Sequence, residues 1–442
     1  MNLKKFFEIC EKKGISEAQI IVERSKSTSI RLFKHEIDSF KIADSQSISA
    51  FGIYQGKFGS GNTQKFTKDS LEFLADQIIL TAKYNEKEEE ASVFKGSEKY
   101  KYKKGSVYNK ELPTIPLERK IAVLREVENA VYAADPSVTD ADHVTYAESE
   151  YEEEVQNSFG LKLKQKGNYF TFVAGAVCKK GDEVKTFYDS HLGSDFGAFD
   201  PKEFASKIVQ GALAKFGGAP CDAGKYPTVL HHDVFSDLID AFLSACSAEE
   251  VQKHSSFLEG KLGEKVASSK LTIEEKPLTK NVHFSYFDGE GVAKKNKVVI
   301  QRGVLKTYFH NRETAKKAGV ETTGNGTWDS MKVGIGFSNI FVRPGKQTFD
   351  ELIAPIKDGV FITEVAGLGT GLNPNSGDFS CQAEGFRIRD GKLAEPLNLI
   401  TLSGNLLKMV KDLKGFDNNP VMRENAISVA NAYIKSMSIG GK

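Results

Sequence analysis

The chain has 442 residues, more than the roughly 250 to 300 that one hydrophobic core usually serves, so we expect two domains. Its 60 Lys and Arg almost cancel its 59 Asp and Glu, and the net charge of +1 argues against a nucleic-acid-binding protein. With 40% hydrophobic and 27% charged residues, the composition is typical of a globular protein.

Three further features bear on the cellular location. The first 14 residues contain lysines but no apolar run and no small-residue cleavage site, so no secretory signal is predicted. No stretch reaches the ~18 apolar residues that a membrane-spanning helix needs. The five cysteines are widely spaced, without a C-x-x-C pair, and are expected to be reduced thiols. We therefore expect a cytoplasmic protein that makes no membrane contact.

Periodicity in the first half predicts helices that alternate with groups of strands. Helices are expected over 2–13, 67–82, 117–134 and 201–216, and Thr67 and Asp200 are predicted to cap two of them. Short strands are expected over 17–24, 28–33, 36–41, 46–54 and 57–61, and again over 144–154, 160–166, 169–178 and 183–189. The similar order of elements in 1–83 and 117–190 suggests an internal duplication that forms two meanders.

A domain boundary is predicted at residues 217–225, which hold three glycines and a proline without any periodicity. After it, we expect a strand over 227–230, a helix capped by Asp233, and strands over 298–302, 304–310, 340–343, 360–365, 384–389 and 397–402. The predicted fold class is α+β. An N-terminal α/β domain with antiparallel sheets and flanking helices (1–216) precedes a β-rich C-terminal domain (226–442).

The run Lys99-Tyr100-Lys101-Tyr102-Lys103-Lys104 has two interpretations. Alternating cations and aromatic rings are typical of proteins that bind single-stranded nucleic acid. The run is short, however, and an acidic run over 88–90 lies just upstream, so a solvated loop or edge strand is the simpler prediction.

Residue patterns alone do not reveal an active site. The chain has no phosphate-binding loop, nucleophile elbow or H-E-x-x-H helix. The glycine run over 367–371 is similar to a dinucleotide loop, but Pro374 follows Asn373, which favours a turn. His231 and His232 are expected to point in different directions on a strand and so to bind no common metal. Asp288 and Glu290 lie in a glycine turn, where they are expected to cap backbone amides.

Six segments together resemble the PmbA/TldE branch of the TldD/PmbA family, whose members were once described as modulators of DNA gyrase. These segments are SSFLEGKLG (255–263), FDGEG (287–291), QRGVLKTY (301–308), TGNG (323–326), NPNSGDFS (373–380) and LSGNL (402–406). Their order and the chain length both match the family. The resemblance is strong over 227–413, and the N-terminal half matches in layout more than in motif.

The resemblance implies a cytosolic protein with two domains that dimerises around an internal cavity. In the TldD branch, a helix carries H-E-x-x-x-H, and a cysteine near the C-terminus completes a zinc site. Placing that helix on 229–245 puts Asp240 at the first histidine, Ala241 at the glutamate and Ala245 at the second histidine. No cysteine follows Cys381. Catalytic zinc typically needs three protein ligands, so we expect no metal and no catalytic residue on this chain.

The resemblance therefore implies a subunit without the zinc motif, and we expect zinc on a TldD-like partner that cleaves unfolded or leader peptides. One alternative is a non-catalytic homodimer that acts as a peptide-binding scaffold, and another is an enzyme with a mechanism that does not use zinc. Should this chain hold zinc, Cys381 and His283 would be the ligands to test.

The glycine-rich segment over 367–380 is the predicted peptide-binding loop. Its candidate residues are Gly369, Gly371, Asn373, Ser376 and Asp378. Glycines allow the backbone to approach a ligand closely, and the polar side chains supply hydrogen bonds. The alternative is a structural turn that is held by its own Asx bonds.

Overall fold

The computed structural model describes residues 3–85, 92–96, 101–329 and 332–442, so the acidic run and the first two residues of the Lys/Tyr run lie outside it. The first half of the chain forms one antiparallel six-stranded sheet. Its elements are α1 (Lys4–Lys12), β1 (Ile15–Phe33), β2 (Glu36–Tyr54), β3 (Lys57–Thr63), α2 (Lys68–Tyr84), α3 (Leu117–Ala134), β4 (Val138–Asn157), β5 (Lys162–Lys180), β6 (Glu183–Gly193) and α4 (Pro201–Leu213). The strand order is β3-β2-β1-β4-β5-β6.

Two long strands replace four of the short strands predicted before residue 57, so that prediction was wrong in its boundaries. Ser25 and Ser27, in the predicted break, do not form a turn, because each continues the β1 ladder opposite β2. Both predicted meanders are present, as β1-β2-β3 and β4-β5-β6, but they belong to a single sheet. β1 pairs with β4 from Gln19↔Asn157 to Arg31↔Thr145, which joins both halves into one sheet. Each half contributes a helix, three strands and a helix, while the internal duplication itself stays a prediction.

The predicted helices of this half are confirmed within one or two residues at most ends. All four pack on the same face of the sheet, since alternate residues of β1 point toward them. Ile20 and Val22 contact the α1 and α2 layer, and Ile30 and Leu32 contact the α3 and α4 layer. Asp200 caps α4 as predicted, because its carboxylate accepts hydrogen bonds from two backbone amides of the first turn at 2.9 and 3.1 Å.

The second half is rich in β-strands, as predicted. Its strands are β7 (Gly224–Leu230), β8 (Ile273–Glu275), β9 (Lys297–Gln301), β10 (Val304–Leu305), β11 (Gly326–Trp328), β12 (Val333–Ile335), β13 (Ile340–Val342), β14 (Asp358–Ala366), β15 (Asp378–Arg389), β16 (Lys392–Asn405), β17 (Leu413–Phe416), β18 (Val421–Met422), β19 (Ile427–Val429) and β20 (Ala432–Gly440). Its helices are α5 (His232–Ser244), α6 (Ala248–Gln252), α7 (Arg312–Ala318), α8 (Phe349–Ile353), α9 (Leu368–Gly371) and α10 (Leu406–Lys411).

A closed barrel organises this half. Its strands follow the order β16-β15-β14-β7-β20, and β20 also pairs with β16, which closes the ring. A second sheet has the order β10-β9-β8-β13-β19-β18. The largest hydrophobic core of the protein lies between these sheets and α5.

The two halves meet at the helix-free face of the first sheet. Phe51 of β2 stacks on Trp328 of β11 with ring centroids 4.9 Å apart, and the Tyr102 hydroxyl donates to the Gly291 carbonyl at 2.6 Å. Tyr102, from the Lys/Tyr run, is therefore a packing residue of this junction. Across the described parts of the chain, no helix is both long enough and apolar enough to cross a membrane.

Candidate functional site

Helix α5 and its C-cap Ala245 hold the positions at which the resemblance would place the family zinc motif. It begins directly after β7, a barrel strand that lies between β14 and β20, so its start is fixed by the sheet. The N-cap is His231, whose ring accepts a hydrogen bond from the Asp233 amide, so the prediction that Asp233 caps the helix was wrong. The buried apolar residues of the helix recur at helical spacing and are Val234, Phe235, Leu238, Ile239, Phe242 and Leu243.

The three positions that the resemblance assigns to the zinc motif, Asp240, Ala241 and Ala245, are a half-buried acid and two packing residues. Burial raises the pKa of Asp240 above its usual range. Ala241 packs against the main core, and Ala245 is 5% exposed within it. The Ser256 hydroxyl donates to the Ala245 carbonyl at 2.6 Å, which fixes the end of the helix. One carboxylate and two methyl groups do not provide the ligand set that zinc needs, so these residues do not fit the metal.

His231, His232 and Asp233 do converge, contrary to the prediction from sequence. The chain turns from strand to helix at this point, which brings the two imidazole rings to a centroid distance of 3.8 Å. This is the only group of three potential metal ligands found in residues 3–85, 92–96, 101–329 and 332–442. Burial tends to raise the pKa of Asp233, but the hydrogen bonds with both histidines outweigh it and hold that pKa well below its usual range.

The bonding of this cluster indicates an ion-pair network rather than a metal site. The Arg423 Nε lies 2.6 Å from Asp233 Oδ1, and the His232 Nδ1 lies 2.9 Å from the same oxygen. The guanidinium and the positive end of α5 both oppose the binding of a cation. We therefore assign these residues to anchoring the start of α5.

The two other candidate zinc ligands, Cys381 and His283, do not form a metal site either. Cys381 Sγ lies 3.6 Å from the Leu402 carbonyl oxygen of the neighbouring strand β16, and burial raises the pKa of the thiol to about 11. Burial also lowers the pKa of His283, which keeps the ring neutral. Neither residue belongs to a group of three potential ligands in the described part of the chain.

The glycine-rich loop between β14 and β15 is held by its own polar groups. Asn373 Oδ1 accepts hydrogen bonds from the amides of Asn375 and Ser376 at 3.0 and 3.2 Å, which is an Asx turn. The Ser376 hydroxyl donates to Asp378 at 2.7 Å, and Asn405 Nδ2 donates to the same carboxylate at 2.9 Å. The predicted hydrogen-bonding side chains are thus already engaged within the turn, although all three remain exposed.

The glycines of this loop differ in their surroundings. A Cβ at Gly371 would lie 2.0 Å from the Ser380 carbonyl oxygen, so this residue permits a close approach of the chain to itself. A Cβ at Gly369 would contact nothing. The internal role of Gly371 favours the structural alternative, and peptide binding by the loop stays a prediction.

The structure brings the loop and α5 together through one aromatic residue. Phe257, from the SSFLEGKLG segment, lies 5.8 Å from the Phe242 ring of α5. A Cβ at Gly377 would lie 3.1 Å from the same Phe257 ring, and this glycine has a positive φ of 77°. The family segments around α5 therefore support one another by packing.

Buried polar networks account for two more family segments. The Asp288 carboxylate accepts hydrogen bonds from three backbone amides. Its Oδ1 binds the amides of Glu290 and Val292, and its Oδ2 binds the amide of Gly326, which confirms the predicted capping role. The Glu290 carboxylate accepts a hydrogen bond from the Arg312 backbone amide at 2.8 Å. Burial raises the pKa of Glu290 to about 8. The network of Glu275, Lys297 and Asn325 was not foreseen, because these residues are far apart in sequence.

Known proteins resemble this chain along most of its length. Residues 18–82, 110–216 and 223–441 match domain 1, the central domain and the C-terminal domain of the PmbA/TldA metallopeptidases. A metalloprotease of Methanothermobacter thermautotrophicus is 30% identical over 301 residues, which is 65% of each chain.

Solved structures with the same fold support the family match. A Thermotoga maritima protein provisionally named a modulator of a DNA gyrase is 26% identical, with a TM-score of 0.91 over 99% of both chains. TldE from Thermococcus kodakarensis shares the fold, with 23% identity and a TM-score of 0.90 over 99% of this chain and 100% of that one. This chain belongs to the PmbA/TldD metallopeptidase family.

Proposed function

We propose that this chain is the TldE/PmbA-like subunit of a cytosolic metalloprotease complex that degrades or matures unfolded peptides. The zinc and the water-activating residues would be carried by a TldD-like paralogue with an H-E-x-x-x-H helix. One observation carries the proposal. At two positions where the resemblance would place zinc-site residues, Ala245 lies in the main core and Ala241 packs against it, so both act as packing residues.

Turns within the family segments support a role in shape. Ser256, Asn325 and Asn405 belong to family segments, and each makes hydrogen bonds that hold backbone turns. A subunit of this kind would limit access to the active site of its partner, so that extended peptides enter and folded proteins do not.

The test is a reconstitution with both purified chains and an unstructured fluorogenic peptide. We expect no hydrolysis by this chain alone, and hydrolysis by the mixture that exceeds that of the paralogue alone. Metal analysis of each chain before mixing identifies which one carries zinc.

Two results would contradict the proposal. Equal hydrolysis by the paralogue with and without this chain would leave a homodimeric peptide-binding scaffold as the better explanation. Metal-dependent hydrolysis by this chain alone would show that it has an active site of its own. A folded substrate protein of the same composition serves as the size control.

A further inference from the structure

Residues 92–96 lie in the junction between the two halves of the chain, and we call this segment the strap. It belongs to no helix or strand. Val93 and Phe94 at its centre are 0% and 8% exposed, whereas Ser92 and Lys95 are exposed. Val93 belongs to the hydrophobic cluster of the junction, which includes Ile21 and Val155 of the first sheet and Phe284 and Phe287 of the second half. The strap therefore contacts both halves at once.

Side chains of the first half bind the backbone of the strap. Glu17, near the start of β1, accepts a hydrogen bond from the Val93 amide at 2.7 Å. Asn157, at the end of β4, donates a hydrogen bond to the Phe94 carbonyl at 2.6 Å. Lys95 Nζ also lies 3.7 Å from Glu17, but this ion pair is solvent-exposed on the lysine side and contributes little. The first half thus holds the strap through side chains at the ends of two neighbouring strands.

Arg312, the first residue of α7, holds the strap from the second half. Its Nη1 donates to the Ser92 carbonyl at 2.6 Å, and its Nη2 donates to the Ser92 hydroxyl at 2.8 Å. The guanidinium carbon also lies 5.6 Å from the centre of the Phe94 ring. Glu290 positions Arg312, since it accepts the Arg312 amide and its Oε1 lies 4.0 Å from Nη1. The FDGEG segment therefore aims a forked cation at the strap.

A second extended segment, residues 106–109, is held differently. Val107 forms a parallel backbone bridge with Gly167 at the edge of β5. Asn109 and Asn168 exchange two hydrogen bonds, at 2.7 and 2.8 Å. This segment covers the edge of β5 and is joined to its backbone, so we expect it to open only together with the sheet. The strap is held by side chains and by two apolar residues, which is typical of segments that open locally.

Opposing contributions of similar size act on the closed strap. Closing buries the side chains of Val93 and Phe94 and forms the hydrogen bonds with Glu17, Asn157 and Arg312. It also removes the conformational freedom of a five-residue backbone. The free-energy difference between the closed and the open strap is therefore small compared with the stability of either half, and the loss of one strong contact should shift it measurably.

We infer that the strap is a latch between the two halves, which opens while both halves stay folded and whose opening Arg312 controls. In the closed latch, Val93 fills the junction, and Arg312 ties the strap to the second half. When the latch opens, Val93 leaves the cluster, and the contact between the halves loosens around Trp328, which packs against the same cluster. The junction then has a tight and a loose arrangement.

Thiol labelling of the purified full-length chain tests the latch. Val93→Cys places a thiol at the buried position of the strap, and Cys221→Ala removes the one cysteine of the five that is partly exposed. Cys178 and Cys246 are both 0% exposed and report unfolding of the first and the second half. We expect iodoacetamide to label the thiol at position 93 at least about a hundredfold faster than either reference cysteine.

Replacing Arg312 tests which residue controls the latch. In the same background, Arg312→Gln should speed labelling at position 93 by about tenfold and change the reference cysteines by less than about twofold. Arg119→Gln is the matched control, because Arg119 is exposed on α3 at the helix-covered face of the sheet, and it should change each rate by less than about twofold. In the chain that keeps Val93, acrylamide quenching of Trp328 should increase with Arg312→Gln and not with Arg119→Gln.

Three results would overturn the inference. Equal labelling rates at position 93 and at the reference cysteines would show that the strap leaves only when the halves unfold. Equal acceleration of all three thiols by Arg312→Gln would make Arg312 a general stabilising residue. Quenching of Trp328 that Arg312→Gln leaves unchanged would show that the strap opens without loosening the junction. Each measurement uses this chain alone, so none depends on the partner proposed above.

Discussion

Replacing Asn325 by alanine removes the centre of a buried polar network. Its Nδ2 donates to Glu275 at 2.9 Å and to the Gly336 carbonyl at 2.8 Å, and its Oδ1 accepts from Lys297 at 3.0 Å and from the Thr323 hydroxyl at 2.7 Å. Asn325 is 1% exposed, so water cannot readily replace these partners.

The loss in the free energy of unfolding can be worked out from the four hydrogen bonds that Asn325 makes. The two bonds to charged partners contribute about 1.5 to 3 kcal/mol each, and the two neutral bonds contribute about 0.5 to 1.5 kcal/mol each. Glu275 and Lys297 keep their mutual ion pair in the variant, which offsets part of the loss. We therefore expect Asn325→Ala to lower the free energy of unfolding by about 3 to 5 kcal/mol.

Urea denaturation followed by tryptophan fluorescence measures this loss. The single tryptophan, Trp328, lies three residues away on β11, so its emission reports on the same region. Asn419→Ala is the control, because Asn419 is exposed and should change stability by less than about 0.5 kcal/mol. A loss below about 1 kcal/mol for Asn325→Ala would refute the network argument. Unchanged stability with lost activity of the assembled complex would instead place Asn325 in a functional site.

Three further predictions concern metal, the loop and pH. Elemental analysis of the isolated chain should find no stoichiometric zinc, and about one tightly held zinc per chain would contradict the assignment of the α5 positions. Asn373→Ala and Asp378→Ala should each lower the melting temperature; if peptide cleavage by the complex is preserved, the loop is structural, and if cleavage is lost at unchanged stability, it binds peptide. Burial raises the pKa of Glu153 to about 7, so this carboxyl lowers stability as the pH rises from its unfolded pKa near 4.5 to about 7. Glu153→Gln should therefore stabilise the chain by roughly 1 to 3 kcal/mol at pH 9 and by little at pH 4, and urea midpoints that shift equally at both pH values would contradict this.

The helices of the N-terminal half could be predicted because each signal is local. Apolar residues at helical spacing and a capping residue such as Thr67 or Asp200 lie within a few positions of one another. The lengths of β1 and β2 could not be predicted, since serines in a strand face and serines in a turn are the same local signal. Only pairing with a partner strand distinguishes them, and the pairing of Ser25 with Ser45 and of Ser27 with Ala43 is visible only in the folded hairpin.

The candidate site shows the same division between local and long-range information. The capping role of Asp288 is local and was predicted, because the amides of Glu290 and Val292 are close in sequence. The convergence of the two histidines was missed, since it depends on where β7 ends and on Arg423, which is distant in the chain. The covered edge of β5 was also beyond prediction, because only the folded sheet places residues 106–109 beside it.

Introducing the TldD residues at the positions that the resemblance assigns to them on α5 would conflict with the packing of this chain. Ala245→His would place an imidazole in the core next to a carbonyl that Ser256 already binds, and Ala241→Glu would bring a charge against apolar neighbours. Asp240→His alone would supply only one ligand. Because the substitutions needed for chemistry oppose those that stabilise the helix, the catalytic and structural versions of α5 are alternatives. In the complex that we propose, the partner would hold the metal on its copy of the helix, and this chain would keep the well-packed version.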